Sequence, residues 1–418
     1  MGGRCVIIGG GPAGMVAGLL LARAGVEVTV LEKHADFLRD FRGDTVHPST
    51  LDLLADLGLG ERFARLPQYH ITEVALPAGD RRVVFGDLSR LKVRHPYIAM
   101  VPQWDLLTLL ADAAREEPCF TLRMRTEVTG LIHERGRIAG VRYRTADGQD
   151  GELRADLTLA CDGRWSVARR EAGLRVRERP VPFDVWWFRL PRRQEDDLGA
   201  LIPRVTGDRL LIVLPRETHF QVGYIGPKGF DRELRARGLE PLRREVADAA
   251  PDLAGEAADL TSMDDVKHLD VRLNRLTRWH VDGLLCIGDA AHAMSPVGGV
   301  GINLAVQDAV AAATLLAGPL RRGRPTPKAL ARVRSRRLFA TVAVQALQRM
   351  MHRALVVRVL RGTWTGPPAP LVRLLRLFPA LSYVPAYLVG VGPRPERAPA
   401  FARGDPGQIP STDDLPHR

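Results

Sequence analysis

Three glycine-and-acid motifs in this chain each begin where an apolar run stops: Gly9-Gly10-Gly11-Pro12-Ala13-Gly14 with Glu32 beyond it, Asp162-Gly163, and Gly288-Asp289. The first fits G-x-G-x-x-G. Gly9 permits a tight turn, Gly11 lets the backbone approach a pyrophosphate, and Gly14 allows a helix to pack closely on a strand. Pro12 and Ala13 open that helix, whose free N–H groups and positive dipole end suit a phosphate. Glu32, 18 residues beyond Gly14, is placed to accept hydrogen bonds from a ribose 2′-OH, and an acid there argues against a 2′-phosphate. Lys33 beside it is assigned to the same nucleotide site. This fingerprint alone does not separate NAD from FAD.

The elements that must carry these residues can be read from periodicity. Cys5 to Ile8 is a short apolar run, Pro12 to Ala24 has helical spacing, and Val26 to Leu31 is β-branched and apolar, with Gly25 where the helix must stop. This βαβ unit opens a doubly wound parallel sheet. Leu157 to Cys161 and Leu284 to Ile287 are expected to return to that sheet. Ile71 to Leu76, Val83 to Gly86, Val185 to Leu190, Leu210 to Leu214 and His219 to Ile225 read as antiparallel strands of a second, substrate-side sheet. Helices are predicted over Glu233 to Ala250, Ala305 to Leu316 and Ala329 to Leu360. The proline-punctuated end, Thr363 to Arg418, closes in a polar tail.

Composition narrows the function classes. The chain has 418 residues, 60 basic and 48 acidic side chains and a formal charge of +12, which favours phosphates, dinucleotides, carboxylates or acidic headgroups as partners. Arginines are scattered, often beside acids as in Arg169-Arg170-Glu171, without the aromatic-interleaved motifs of nucleic-acid readers, so no nucleic-acid partner is expected. Cys5, Cys119, Cys161 and Cys286 show neither CxxC spacing nor a nearby histidine at ligand spacing. No metal site and no disulfide framework is expected, and a cytoplasmic location fits. No run of about 18 uninterrupted apolar residues exists, so no transmembrane helix is predicted.

Two longer motifs resemble one family. Ala160-Cys161-Asp162-Gly163-Arg164-Trp165-Ser166-Val167-Ala168-Arg169 is similar to the Asp-Gly motif of the p-hydroxybenzoate hydroxylase-like, group A flavoprotein monooxygenases. Leu285-Cys286-Ile287-Gly288-Asp289-Ala290-Ala291-His292, continuing through Pro296, Gly298-Gly299, Gly301 and Asn303, is similar to that family's Gly-Asp motif. With the N-terminal fingerprint they occur in the family's order and cover residues 4 to 316. The resemblance implies FAD as resident cofactor, NADH or NADPH as a transient reductant, and O₂ activated as a flavin C4a-hydroperoxide.

It also distributes roles. Asp289 would take the ribityl hydroxyls. Pro296, Gly298 and Gly299 would form the loop against the flavin ring, and Gly301, Ile302 and Asn303 would begin a helix aimed at its pyrimidine edge. Asp162 and Gly163 would lie near the pyrophosphate, while Ser166 could simply cap a helix. Arg42 and Gln103 match positions along the dinucleotide. His47, five residues beyond Arg42, is a candidate contact to flavin or substrate that would titrate near neutrality. Trp186 and Phe188 should share one sheet face and Trp187 the other, with Phe220 and Tyr224 nearby; core packing competes with a pocket-lining role.

The expected architecture is an α/β, doubly wound, Rossmann-like FAD domain with an inserted antiparallel substrate domain and a helical C-terminal region. The FAD domain takes residues 1–70, 99–174 and 276–325, and the substrate domain 71–98 and 175–275. A helical cover follows over 326–395, and 396–418 is expected to be disordered. The expected function is hydroxylation or epoxidation of an aromatic, quinone-like or polyketide-type small molecule by a monomer or homodimer. Peripheral membrane or carrier-protein contact is conceivable through the basic stretch Arg349 to Leu377. A geranylgeranyl-reductase-like flavoenzyme is the alternative; the halogenase signature W-x-W-x-I-P is absent. A flavin-bearing binding protein without turnover is a rival of another class.

Overall fold

The computed structural model describes residues 3–38, 45–78, 81–192, 200–201, 203–216 and 218–403. Arg42 and the last part of the expected tail, 404–418, lie outside the described residues. The elements used below are, in chain order, β1 (Arg4–Ile8), α1 (Pro12–Arg23), β2 (Glu27–Leu31), α2 (Pro48–Asp56), α3 (Gln103–Arg115), β3 (Phe120–Arg123), β4 (Leu157–Ala160), α4 (Val167–Glu171), β5 (Phe183–Pro191), β6 (Arg209–Pro215), β7 (His219–Pro227), α5 (Leu239–Ala249), β8 (Leu284–Cys286), α6 (Gly301–Arg321), α7 (Pro327–Met351), α8 (Ala369–Leu377) and α9 (Tyr383–Gly390).

The main sheet runs β8-β4-β1-β2-β3 with all neighbours parallel, and His280–Val281 joins its β8 edge antiparallel. Its strands are short, continuously apolar runs because helices cover both faces. Ile8 pairs with both Leu31 and Ala160, and Ala160 pairs with Cys286. Four parallel strands thus end flush at one edge. The chain leaves β1 for β2 on one side, and β4 lies on the other, so this edge contains the topological switch point where α/β sheets bind ligands.

The five-stranded second sheet is antiparallel: Arg204–Thr206, β6, β7, β5, then Lys267–Leu269. Its alternation produces two faces. Trp186, Phe188, Leu211, Val222 and Tyr224 pack under α5 through Leu242 and Val246. Phe183, Val185, Leu210 and Ile225 turn the other way, toward Met294, Val300 and Leu304 at the start of α6.

Three expectations need correction. The hairpin Glu73–Ala78 with Arg81–Asp87 is not part of the five-stranded sheet; it forms a separate three-stranded one with Ala200–Leu201, paired parallel to Glu73 and Val74. The helix expected over 233–250 is two helices, Asp231–Arg237 and Leu239–Ala249, because Gly238 between them has φ +75°. The expected disordered tail is ordered through 403. Glu396 is buried and bonded to Arg336 at 2.9 Å, and Ala398 and Ala402 join the main core.

α6 is long and apolar enough to cross a membrane by length and composition, yet 72% of that stretch is buried inside the fold. Packing against α1 and α7 accounts for its hydrophobicity. Of the cysteines, Cys5 and Cys286 are buried in central strands and Cys161 follows β4. Burial pushes the Cys5 thiol up to about 12, so it packs as a small hydrophobe.

Candidate flavin-nucleotide site

The flush strand ends bring the three glycine-and-acid turns into contact. Gly9 has φ +99°, and a Cβ there would lie 2.7 Å from the Cys161 carbonyl oxygen. A Cβ on Gly14 would sit 2.0 Å from the Gly9 oxygen, whereas one on Gly11 would meet nothing within 4 Å. So Gly14 is required for packing, and Gly11 leaves open the surface at the α1 N-terminus. Gly288, at φ +57°, lies between Ala13 of α1 and Ala305 of α6. The second turn also holds the third: Arg164 Nε donates to Asp289 Oδ2 at 3.1 Å, and Arg169 Nη1 donates to the Ala290 oxygen at 3.3 Å.

Both helices that start here begin uncapped. Neither α1, preceded by Gly11, nor α6, preceded by Val300, has a side-chain cap or an acid in its first turn. By contrast, Thr326 caps α7 and Ser166 caps α4, which settles Ser166 as a capping residue. Two uncapped positive helix ends beside a side-chain-free turn make an anion cradle. Glu32 is buried and accepts from Gly10 N–H at 2.8 Å and His34 N–H at 3.0 Å; Lys33 beside it is exposed. Asp162 Oδ2 accepts from Ala168 N–H at 3.2 Å, while Oδ1 is enclosed with no partner. Burial pushes this carboxyl up from its ordinary value, and an enclosed acceptor at a nucleotide edge suits a hydroxyl donor. Gln103 is half-buried at the first position of α3. The residues present therefore fit a dinucleotide such as FAD.

The loop Pro296–Val300 is fixed from both sides. Thr45 Oγ1 donates to the Gly299 oxygen at 2.9 Å, and a Cβ on Gly299, at φ +65°, would lie 2.7 Å from that hydroxyl. Gly298 is also at positive φ, +83°. His47 is fully buried, with Nε2 3.0 Å from the Gly299 oxygen and Nδ1 2.9 Å from the Val389 oxygen. Burial lowers its pKa to about 4, although both carbonyls raise it. The expected titration near neutrality is therefore wrong, because the ring is sealed between main-chain groups. It ties the loop to α9. Gly301 and Ile302 are half-buried in the first turn of α6. The Asn303 side chain is turned into the protein, its Oδ1 accepting from Ser49 Oγ and Thr50 Oγ1, both at 2.8 Å, so it joins α6 to α2.

Sequence reasoning missed a polar ladder on α7. Arg337, Thr341, Gln345, Gln348 and His352 recur every three or four residues and are all buried. Gln348 Nε2 donates to the Ser295 and Val297 oxygens at 2.7 and 2.9 Å, and its Oε1 accepts from Ser295 N–H at 3.2 Å. His352, where the helix widens into a π-turn, lies 2.9 Å from Ser295 Oγ. Gln345 Nε2 donates to the Asn274 oxygen at 2.7 Å. At the other end Arg337 Nε meets Asp308 Oδ1 at 3.0 Å, while Asp308 Oδ2 takes Gly288 N–H at 3.1 Å and His292 Nε2 at 2.6 Å. Burial raises the Asp308 carboxyl, but His292 and Arg337 outweigh it and leave it below the ordinary range. The available signal was neutral polar side chains at helical spacing within an arginine- and alanine-rich helix.

Across from the loop, Trp187 is half-buried on the open face of the second sheet and shares an apolar cluster with Ile212, Val297 and Val389. Trp186, Phe188, Phe220 and Tyr224 lie in the core on the opposite face. Trp187 alone of the five aromatics is thus turned toward the loop.

Residues 4–348 match the model of the FAD binding domain family. The chain is 35% identical over 353 residues to a 6-methylpretetramide 4-monooxygenase of Streptomyces rimosus, covering 84% of each. It is 30% identical to a rifampicin monooxygenase of Streptomyces venezuelae, over 73% of this chain and 62% of that protein. Its fold is similar to that of a probable FAD-dependent monooxygenase from Pseudomonas aeruginosa, with TM-score 0.72 and 24% identity over 86% and 99% of the two chains. It is also similar to an anhydrotetracycline hydroxylase of Streptomyces rimosus, with TM-score 0.71 and 24% identity over 93% and 76%. The chain belongs to the FAD-binding-domain family of group A flavoprotein monooxygenases. It is an oxidoreductase with a Rossmann-like FAD domain and an inserted antiparallel sheet.

Proposed function

We propose that this protein is a cytoplasmic monooxygenase that takes two electrons from NADH or NADPH and places one atom of O₂ on an aromatic, polyketide-type small molecule, with water as co-product. The observation that carries this reading is that Trp187 of the second sheet and Val297 of the glycine loop pack on one shared apolar cluster, which would set an apolar floor against the edge where the flavin ring would lie. Pretetramide, rifampicin and anhydrotetracycline, the compounds named for its relatives, support a polycyclic aromatic substrate.

The α1 amides and Gly11 would hold the pyrophosphate, Glu32 a ribose and Asp289 the ribityl hydroxyls. Reduced FAD supplies the activation of O₂. The α6 N-terminus would stabilise negative charge at the pyrimidine edge. His47, Gln348 and Thr45 keep the loop carbonyls fixed, so that its amides stay oriented without reorganisation. The surrounding apolar side chains exclude water. Incubating the FAD-loaded protein with NADH or NADPH, ¹⁸O₂ and a panel of polycyclic phenols should give a product carrying one labelled oxygen. A product formed equally well without O₂ would overturn this reading and point to a reductase.

A further inference from the structure

The C-terminal helices present an outward surface that the flavin site does not use. Leu374, Leu377, Phe378, Leu381 and Val384 are all exposed, Leu377 at 63% and Phe378 at 57%. They cluster on α8, α9 and the short turn between them, where Ala369–Leu377 and Pro379–Gly390 meet at 109°. These five lie outside the cavity that Leu375, Arg376, Pro379 and Ser382 form with the neighbouring hairpin. A run of this kind is larger than the scattered apolar residues of an ordinary surface. Arg373 and Arg376 are exposed on the same helix, interleaved with Leu374 and Leu377.

The charge around this corner is one-sided. Residues 369–390 contain two charged side chains, Arg373 and Arg376, and no aspartate or glutamate. Glu73 and Asp87, on the adjacent hairpin, are already paired with Arg82 at 3.9 Å and Arg90 at 2.7 Å. A second copy of this chain docking face to face would bring Arg373 and Arg376 toward another copy of the same arginines, since a two-fold interface repeats the same patch. An exposed apolar corner interleaved with arginines instead matches an anionic lipid surface, in which leucine and phenylalanine enter the acyl boundary while arginine stems reach back to the phosphates.

We propose that the α8–α9 corner docks this protein peripherally on anionic phospholipid bilayers, with Leu377 and Phe378 as its inserting residues. The test is flotation of the FAD-loaded full chain with vesicles of phosphatidylcholine, or of an equal mixture of phosphatidylcholine and phosphatidylglycerol. Binding to the mixed vesicles should exceed binding to the neutral ones by at least about tenfold and fall with added salt. The double variant Leu377→Glu/Phe378→Glu should lose at least about tenfold of that binding, with unchanged flavin content and thermal midpoint because both side chains are exposed. Arg373→Gln/Arg376→Gln should weaken binding to mixed vesicles only. Equal binding to both lipid types, or undiminished flotation of the Glu variant, would overturn the proposal. So would a parent that is dimeric and vesicle-free while the Glu variant is monomeric, which would show a second copy on the corner.

Discussion

Replacing Arg337 by methionine should strand the buried Asp308. The guanidinium is 1% exposed, lies 3.0 Å from Asp308 Oδ1 and 3.5 Å from Glu396 Oε1, and donates to the Arg394 oxygen at 3.1 Å. Glu396 keeps Arg336, but Asp308 keeps only His292 and the Gly288 amide. Removing one member of such a buried pair costs about 3–5 kcal/mol. With an unfolding entropy of about 2 cal/mol/K per residue, a 418-residue chain should then melt about 3–6 °C lower. Differential scanning calorimetry of the FAD-loaded protein measures this directly. The pH dependence carries a second sign. Because the folded-state Asp308 pKa is lowered, its stabilising contribution is present above the ordinary carboxylate range and is lost as pH falls through the depressed value. Without Arg337 that loss should begin at higher pH. Adding Asp308→Asn should recover part of the midpoint, since it removes the stranded charge. A variant Arg337→Met melting within about 1 °C of the parent, the scale of an ordinary surface change, would refute the importance assigned to this network.

Other consequences can be measured in parallel. Gly14→Ala places a Cβ 2.0 Å from the Gly9 oxygen, and both are backbone-bound, so the purified protein should lose most of its visible flavin absorbance; full occupancy would contradict the cradle. Gln348→Leu removes three hydrogen bonds to the Ser295 and Val297 backbone, each unmet buried group costing about 1–3 kcal/mol. It should lower turnover more than it lowers FAD content, and an unchanged rate would sink the positioning role. His47, lowered by burial to about 4 from the ordinary histidine value of 6.5, contributes stability that is present above pH 6.5 and lost as pH falls toward 4, up to about 3 kcal/mol. The acid limb of thermal midpoint against pH should be flatter in His47→Gln, and superimposable limbs would exclude the histidine as its cause.

Three strands of the main sheet, β1, β4 and β8, were readable because each ends where an apolar run meets a polar-glycine turn, as at Ala160 to Gly163 and Cys286 to Asp289, and β2 by its β-branched run, whereas β3 with its alternating Phe120–Arg123 was not read. Local patterning suffices when backbone and side chain make the same demand. Partners distant in sequence were not readable. Arg164 reaching Asp289, and Ala200–Leu201 joining the hairpin at Glu73, depend on how sheets are stacked. The α7 ladder was obscured because arginines on its exposed side dominate the composition, while the buried face is polar where an apolar stripe is the usual sign of a packed helix. Glu396 sits in a proline-rich, polar stretch that reads as disordered, yet its ion pairs with Arg336 and Arg337 and the core packing of Ala398 and Ala402 anchor it. Gly238 shows the reverse case: helical spacing continued through a residue whose positive φ breaks the helix.

Arg337 and Glu396 give the linkage from Gly288 to the segment around Glu396 a consequence for biosynthesis. A nascent chain made only as far as Gly301 already contains every glycine of the nucleotide fingerprints, but not the helix and terminal segment that brace the third turn. Uptake of the prosthetic group should thereby wait until α7 and Glu396 have been made, and ribosome-stalled fragments ending near residue 320 should emerge without colour.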